Sequence, residues 1–423
     1  MKELLDFFTK IGKLKKMPRR GWVINQIKTP ESIADHTFRA TIVGWVLGKE
    51  KSGLNIEKLL KIALVHNLSK IYSGDITPYD SILAQSKKKI KEIIETWPKF
   101  SKAEREKICK KKYQREKKAL EKLISKLSPS LKKEIKNLWL DYEKGLTPEG
   151  RFFNQADRME NFLQALEYWK KYKKPSLGPW QEWAKEFFDD HLLIKVKNVL
   201  ERRFLNSKKE DDNEIRKLTD FLTEIGRLKD IKRKGIMFYG VKDPETTAEH
   251  TFRMTLLAWI LGRIDKRLNI EKVIKISLVH DLCEVYVGDI TPYDGLLPED
   301  EKERYEFVRK WPRLLKKVKE KRYTQKFKKE KQSLEKLVKK LPQGLKKEIF
   351  NLWWDYEIRS SKEGIFVHQI DRAENLLEAF DCYRRDKSFP TKPWWQHAEE
   401  VIDNPIILKF LNEISKEELK LKS

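Results

Sequence analysis

The chain repeats itself at a constant offset of 214 residues, the step from His36 to His250. The same offset relates three more pairs of polar residues: His66 and His280, Asp75 and Asp289, and Asp157 and Asp371. This period is far longer than the roughly 20–50 residues of a solenoid repeat, so each copy is long enough to be a domain. The sequence therefore predicts two similar domains that arose by duplication and fusion.

The repeat extends through most of each half. It runs from Ile11 and Ile225 to Trp180 and Trp394, and it includes identical segments: HTFR at 36–39 and 250–253, DITPYD at 75–80 and 289–294, Trp97-Pro98 and Trp311-Pro312, and LKKEI at 131–135 and 345–349. A chain of 423 residues allows each half to bury its own core. We predict domains at residues 1–208 and 209–423, joined at the charged stretch Asn206 to Asn213.

Several classes of protein are disfavoured by the composition. Three scattered cysteines are too few for a disulfide framework. The segment from Met1 to Lys16 lacks the long apolar core of a signal peptide, and no apolar run approaches the roughly 18 residues of a membrane span. We therefore expect a cytoplasmic protein without a membrane partner.

The formal net charge of +26 leaves two interpretations open. Much of the excess lies in helix-like stretches at 87–91, 107–118 and 316–331, where Glu or apolar residues interrupt the lysines. Such stretches favour the solvated faces of Lys/Glu-rich helices. The alternative is a surface that binds a nucleic acid or another polyanion.

Apolar periodicity predicts an all-α protein. Apolar residues recur at intervals of three and four in Phe252 to Leu261, Glu271 to His280, Ser333 to Leu341 and Leu345 to Trp354. Breaks are predicted at Pro244, Gly288, Pro292, Gly295 and Gly364, the last just before a helix that starts with Asp371. The predicted architecture is two helical bundles in tandem.

The second copy contains a set of metal-ligand side chains on these helices: His250, His280, Asp281 and Asp371. Imidazole and carboxylate groups from three facing helices form a site for one divalent ion, with positions left for water and substrate. A divalent ion lowers the pKa of a water molecule and polarises a phosphoryl oxygen. The set therefore predicts hydrolysis of a phosphate ester, and a satisfied polar cluster is the alternative.

The ordered motifs resemble those of the HD-domain metal-dependent phosphohydrolases, and more closely the 5′-deoxynucleotidase branch of that superfamily. The resemblance covers most of each half and rests on these segments: Arg19 to Trp22, Pro30 to Ser32 with Asp35-His36, Pro244-Glu245 with Glu249-His250, His280 to Asp289, Leu138 to Glu143 and Leu352 to Glu357. It implies two tandem HD domains that act on deoxynucleoside 5′-monophosphates.

The resemblance also implies roles for the residues of the second copy. The ligands of one divalent ion (Mn²⁺, Co²⁺, Mg²⁺, Fe²⁺ or Zn²⁺) would be His250, His280, Asp281 and Asp371. Glu284 would be the catalytic acid or base beside Asp281. Arg233 would bind the phosphate, and Asp289 would lie near the sugar, with capping of the following turn as its alternative. Ile236 replaces the aromatic residue that the first copy keeps as Trp22.

The first copy departs from the family at two positions of this site. Asn67 replaces the ligand Asp281, and Lys70 replaces the carboxylate of Glu284. The rest of the set is retained: His36, His66, Asp157, Arg19, Trp22 and Asp75. We predict that the first copy is inactive, and whether it binds a nucleotide stays open.

Two other functions remain possible at this point, a nucleotide sensor with slow turnover and an HD-type nuclease. The extended resemblance favours a mononucleotide substrate over a nucleic acid. Duplication also predicts either a monomer whose two copies form an internal pseudo-dimer or a homodimer. The remaining histidines, His191, His368 and His397, are assigned no role.

Overall fold

The computed structural model describes residues 1–80, 100–205, 212–291, 293–310 and 316–422. Every regular element in these residues is a helix, so the predicted all-α fold is confirmed. No helix in these ranges is both long enough and apolar enough to cross a membrane. The junction at 206–211, Pro292 and the two Trp-Pro pairs lie outside the described ranges.

Helices of the first half, with their continuation to the junction, are numbered in chain order: α1 (Lys2–Ile11), α2 (Arg20–Ile24), α3 (Ile33–Lys49), α4 (Ile56–Val65), α5 (Lys70–Ser73), α6 (Lys102–Ile124), α7 (Pro129–Lys144), α8 (Pro148–Tyr172), α9 (Leu177–Phe187) and α10 (His191–Phe204). The helices that follow are α11 (Asn213–Ile225), α12 (Lys234–Met237), α13 (Thr247–Gly262), α14 (Ile270–Val279), α15 (Glu284–Val287), α16 (Glu301–Lys310), α17 (Lys316–Val338), α18 (Gln343–Ile358), α19 (Lys362–Arg385), α20 (Lys392–Val401) and α21 (Pro405–Lys422). Short 3-10 helices cover Gly12–Lys16 and Gly226–Lys229.

The chain forms two compact units whose boundaries differ from those of the repeat. The second-copy unit consists of Met1–Gly12 and Thr223–Ser423, and the first-copy unit consists of Lys13–Leu222. Helix α1 therefore belongs to the unit formed by the second copy. Most of α11, its counterpart 214 residues later, belongs to the unit of the first copy.

A fully buried helix lies at the centre of each unit. All residues from Ile33 to Gly48 in α3 are buried, as are all residues of α13. A helix that is apolar on every side is stable only when other helices surround it. In the second-copy unit α13 packs against α1, α14 and α19, and in the first-copy unit α3 packs against α4 and α8.

Local sequence explains where these central helices begin. Ser32 and Asp35 form a capping box at the start of α3, and Thr246 and Glu249 form the equivalent box at the start of α13. In each box two side chains satisfy two backbone N–H groups that the helix leaves unpaired. The boxes fix the first turn, which carries His36 in one copy and His250 in the other.

The predicted break at Gly364 is wrong. Helix α19 begins at Lys362, and Asp371 lies well inside it. Gly364 lies in the first turn because of a close approach between helices: a Cβ atom there would be 2.5 Å from the backbone oxygen of Asp355 in α18. The glycine thus permits α18 and α19 to pack tightly and does not end a helix.

Two of the three basic stretches form exposed helix faces, and the third, at 87–91, lies outside the described residues. In α6 nearly every residue from Lys102 to Arg115 is exposed or half-exposed, and the described side chains of α17 from Lys317 to Lys329 show the same pattern. This exposure agrees with solvated lysine-rich faces and leaves the polyanion alternative untested.

Candidate metal centre

The four predicted ligands of the second copy lie together. His250 is in the first turn of α13, His280 follows α14 with Asp281 next to it, and Asp371 projects from α19. Ligand atoms of His250, His280 and Asp281 lie within 4.8 Å of one another. The Nε2 atom of His250 is 3.2 Å from Asp371 Oδ1. The fold therefore brings together residues that are up to 121 positions apart in the sequence.

Hydrogen bonds at Nδ1 orient both imidazole rings. The Nδ1 atom of His280 is 2.7 Å from the backbone oxygen of Ser277, which accepts its proton. The Nδ1 atom of His250 pairs with the carboxylate of Glu374. With Nδ1 protonated in each ring, Nε2 carries a lone pair and is ready to bind a metal.

These lone pairs face carboxylate oxygens. Both Nε2 atoms are buried, and neither has a hydrogen-bond partner among the described residues. His280 Nε2 lies 3.0 Å from Asp281 Oδ2, and His250 Nε2 lies at a similar distance from Asp371. Two acceptors at this distance repel each other unless a cation lies between them. The donor set and its unpaired atoms therefore fit a divalent ion.

The pKa of His250 reports the same need for a positive charge. Burial and the Arg233 cation lower the pKa, but Glu374 and Asp371 outweigh them and raise it to about 9. Burial would raise the pKa of Asp371, yet Arg372 and the neighbouring His250 hold it well below its usual range. The carboxylates around His250 therefore favour a positive charge at this position.

Further side chains fix the carboxylate of Asp371. The hydroxyl of Tyr356 donates to Asp371 Oδ2 at 2.8 Å, and the amide of Asn375 donates to Oδ1 at 2.9 Å. Neither residue was assigned a role from the sequence. The repeat carried a signal for both, because Tyr142 and Asn161 stand at the matching positions of the first copy.

Arg233, predicted to bind the phosphate, lies beside the predicted ligands. Its Nη1 donates to Asp281 Oδ2 at 3.1 Å, and its Nη2 donates to Asn375 Oδ1 at 3.0 Å. Glu284 Oε1 is 3.8 Å from the same Nη1. The guanidinium is a permanent cation at the edge of the site, where a phosphate could take the place of a carboxylate partner.

Asp289 makes a structural contact with a distant segment, and neither interpretation from the sequence predicted it. Its Oδ2 accepts a hydrogen bond from the backbone N–H of Lys234 at 2.7 Å, at the start of α12. Asp75 accepts the equivalent bond from Arg20 at 2.8 Å in the first copy. This carboxylate thus holds the segment that carries the site arginine, and a substrate contact would come in addition.

Glu284 is buried in a position suited to proton transfer. It is 1 % exposed, and the hydroxyl of Thr247 donates to its Oε2 at 2.7 Å. Burial, followed by the nearby carboxylates of Asp281 and Asp289, raises the pKa of Glu284 well above its usual range. These surroundings favour the protonated form of its carboxyl group.

The first copy closes the equivalent site with its own hydrogen bonds. The side-chain amide of Asn67 lies 2.7 Å from His66 Nε2 and donates to it, so this lone pair is satisfied. His36 Nε2 is 2.7 Å from Asp157 Oδ1. Although His36, His66 and Asp157 lie close enough to suggest a metal site, the neutral Asn67 gives it one carboxylate fewer than the second copy.

Lys70 makes the first site still less suited to a metal. Its Nζ forms an ion pair with Asp75 Oδ1 at 2.7 Å, and the two side chains are 10 % and 12 % exposed. Asn67 stands where the second copy has Asp281, which makes the formal charge of the first site more positive by one. Lys70 stands where the second copy has Glu284, which makes it more positive by a further two, so the total difference is three charges. A lysine ammonium in this position repels a divalent cation.

A third difference accompanies the replacement of Glu284 by Lys70. Thr247, whose hydroxyl holds Glu284, corresponds to Ile33, which is 0 % exposed in the first copy. Isoleucine offers no hydrogen bond to a carboxylate. The first copy has therefore lost the support for a glutamate as well as the glutamate itself.

The aromatic position of the motif is buried in both copies. Trp22 is 2 % exposed and Ile236 is 3 % exposed. The Trp22 indole N–H donates to Glu31 Oε1 at 2.8 Å, and the ring stacks on Trp180 with centroids 5.2 Å apart. Trp22 thus forms part of the packing around the arginine segment.

The repeat coincides with two matches to a known family. A model of the HD domain matches residues 11–186 and 225–406, and the two matches begin 214 residues apart. The chain belongs to the HD-domain family. Two HD domains in tandem confirm the predicted duplication.

Curated relatives of one copy's length carry consistent names. A protein named 5′-deoxynucleotidase HDDC2 from Danio rerio is 35% identical over 207 residues, which is 48% of this chain and 89% of the relative. One of the same name from Xenopus laevis is 33% identical over 174 residues, 41% of this chain and 73% of the relative. The protein named 5′-deoxynucleotidase hdd1 from Schizosaccharomyces pombe is 32% identical and covers 47% of this chain and 90% of its own. With the HD domain, these relatives support a metal-dependent phosphohydrolase.

A solved structure with about the length of one copy also aligns with part of the chain. The conserved hypothetical protein from Pyrococcus furiosus is 26% identical, with a TM-score of 0.34, and covers 47% of this chain and 98% of its own.

Proposed function

We propose that this HD-domain protein is a 5′-deoxynucleotidase whose hydrolysis takes place in the second copy. One divalent ion would be held there by His250, His280, Asp281 and Asp371. The products would be a nucleoside and inorganic phosphate. The names of the curated relatives support the substrate class, and the geometry of the second copy supports the location.

The observation that carries this proposal is the pair of buried, unpaired Nε2 atoms of His250 and His280. Buried polar atoms without partners are rare in proteins and are found where a ligand or metal completes the site. In the first copy the matching atom of His66 is bonded to Asn67. The contrast between otherwise similar copies supports one metal site per chain.

A bound divalent ion would supply an acidic water molecule and an electrophile for the phosphoryl oxygen. Arg233 would bind the non-bridging phosphate oxygens, since its guanidinium already pairs with carboxylates at the site edge. Asn375 holds the other arm of this arginine, which limits its rotation. The arginine thus orients the phosphate as well as neutralising it.

Glu284 would give a proton to the 5′-oxygen that leaves with the nucleoside. Burial and the neighbouring carboxylates of Asp281 and Asp289 raise the pKa of Glu284 well above its usual range. A raised pKa suits a carboxyl group to this proton transfer. Thr247 keeps the carboxyl oriented. The first copy has neither group, so we propose that it does not hydrolyse nucleotides.

The test is release of phosphate from deoxy- and ribonucleoside 5′-monophosphates in the presence of Mn²⁺, Co²⁺ or Mg²⁺. Wild type is compared with Asp281→Ala and with the matched first-copy variant Asn67→Ala. We expect activity to be lost in Asp281→Ala and kept in Asn67→Ala. Activity that survives Asp281→Ala but disappears in Asn67→Ala would place the chemistry in the first copy and refute the proposal.

The lysine-rich faces of α6 and α17 favour a second candidate, an HD-type nuclease. A single-stranded oligonucleotide in the same assay distinguishes the two. Metal-dependent cleavage of the oligonucleotide, without phosphate release from any monophosphate, would replace the nucleotidase proposal. No turnover of either substrate would favour a nucleotide-binding role.

A further inference from the structure

We propose that the first twelve residues of the chain act as a positioning element for the metal centre of the second copy. The proposed path runs from Gly12 through Arg253 and Glu374 to the ligand His250. This inference rests on the proposed metal site, but it concerns residues that the site itself does not contain.

Helix α1 is an integral part of the second-copy unit. Its apolar face is buried at Leu5, Phe7, Phe8 and Ile11, none of which is more than 3 % exposed. The helix packs against α13 and α21, and the ring of Phe8 meets the edge of Phe410 at a centroid distance of 6.1 Å. Burial of several large apolar side chains contributes about 1.5–3 kcal/mol each, so this helix is firmly held.

The end of α1 lies directly on a buried guanidinium. Gly12 follows the helix, and a Cβ atom added to it would be 2.7 Å from Arg253 Nη1 and 3.1 Å from Asp381 Oδ2. The backbone of Gly12 is right-handed, with φ of −52°. The glycine is therefore required by the space beside Arg253 and not by its backbone angle.

Arg253 cannot move away freely, because three carboxylates hold it. Its Nη1 donates to Asp381 at 2.6 Å, its Nη2 to Glu378 at 2.9 Å, and its Nε to Glu374 Oε1 at 2.7 Å. The side chain is 0 % exposed. The guanidinium group is rigid and planar, so displacing one of its nitrogen atoms disturbs the hydrogen bonds of the others.

Glu374 transmits this constraint to the ligand. One of its oxygens accepts from Arg253, and the other pairs with His250 Nδ1. The carboxylate thereby sets both the rotation of the imidazole and the nitrogen that carries the proton, which leaves Nε2 for the metal. A shift of Arg253 caused at Gly12 would consequently rotate His250 away from its ligand position.

The experiment measures Mn²⁺ binding to the full-length chain by titration calorimetry. Gly12→Ala places a methyl group against Arg253, and Gly344→Ala is the matched control because a Cβ atom at Gly344 has no neighbour within 4 Å. Loss of a residue that orients a metal ligand typically weakens metal binding roughly 10- to 100-fold. We expect a decrease of this size for Gly12→Ala and wild-type affinity for Gly344→Ala.

A double-mutant cycle separates positioning from general destabilisation. Arg253→Lys removes Nη1, so Gly12→Ala should have little further effect on Mn²⁺ affinity in that background, although each change alone weakens binding. Additive effects would overturn the proposal, as would wild-type affinity in a folded Gly12→Ala protein. If Gly12→Ala fails to fold, Asp381→Asn tests the same contact, and unchanged Mn²⁺ affinity in that variant would count against the path.

The proposed metal site is tested separately within the same series. Wild type should bind one Mn²⁺ and Asp281→Ala should bind none. If wild type and Asp281→Ala bind Mn²⁺ equally, the metal site itself is refuted. If wild type binds one Mn²⁺ and Gly12→Ala binds it with the same affinity, only the role of the N-terminal helix is refuted.

Discussion

Restoring the metal ligands of the first copy is the most informative perturbation. The protein would carry Asn67→Asp and Lys70→Glu in an Asp281→Ala background, so that any metal effect comes from the first copy. Asn67→Asp removes the amide that satisfies His66 Nε2, and Lys70→Glu removes the cation. We expect one Mn²⁺ to bind per chain where the parent binds none.

The structure also predicts a cost in the absence of metal. Lys70 and Asp75 form a pair at 2.7 Å with side chains 10 % and 12 % exposed, and breaking a buried pair typically costs about 3–5 kcal/mol. For a unit of this size, about 2–4 °C of melting temperature corresponds to each kcal/mol. The midpoint of the first-copy unit should therefore fall by roughly 6–20 °C without Mn²⁺.

Added Mn²⁺ should return part of this stability. At a free concentration of 100 times the Kd, binding to the folded state contributes about 2.7 kcal/mol. The control is Lys70→Gln with the wild-type Asn67 kept. It breaks the ion pair without supplying a carboxylate, so its melting temperature should fall and should not rise again when Mn²⁺ is added. A double variant that binds no Mn²⁺ and gains no stability from it would refute the idea that Asn67 and Lys70 alone silence the site.

Three further predictions concern Glu143, Thr247 and the bound metal. Burial and the Glu116 carboxylate raise the pKa of Glu143 from 4.5 to about 7. The folded state therefore holds this proton more tightly than the unfolded state, and stability falls as pH rises from 4.5 through 7. In urea titrations, Glu143→Gln should stabilise the protein by about 1–3 kcal/mol at pH 8 and have no effect at pH 4. Thr247→Val removes the hydroxyl that holds Glu284, a bond worth about 1.5 kcal/mol, so kcat should fall about tenfold, and an unchanged kcat would exclude this support. Chelation of metal should lower the melting temperature of wild type but not of Asp281→Ala, and equal shifts would contradict a single site in the second copy.

The fold class, and the grouping of the proposed ligands, could be predicted because both follow from local patterns in the sequence. Helical periodicity after His250 predicts a helix, and the 214-residue offset aligns each proposed ligand with its counterpart. Comparison of the copies then identified Asn67 and Lys70 as the differences at the site. These inferences need only residue types and spacing.

Other features depend on contacts that spacing does not encode. The amphipathic pattern of α1 shows which face is buried but not which unit buries it. Gly364 was interpreted as a break because glycine ends helices more often than it allows two helices to touch, and here it contacts Asp355. Glu374 did carry a signal, since the segment from Asp371 to Asn375 repeats the pattern of 157–161, yet its hydrogen bond to His250 required the fold.

Helix α1 precedes the first copy in sequence but belongs to the second-copy unit, and this placement bears on how the chain can evolve. The unit that contains His250, His280, Asp281 and Asp371 takes one of its helices from the start of the sequence, ahead of the first copy. A genetic deletion that removed residues 1–208 would discard that helix together with the first copy. If the first copy is inactive, as proposed, substitutions at Asn67 and Lys70 could remove its chemistry more easily than a deletion could remove the copy.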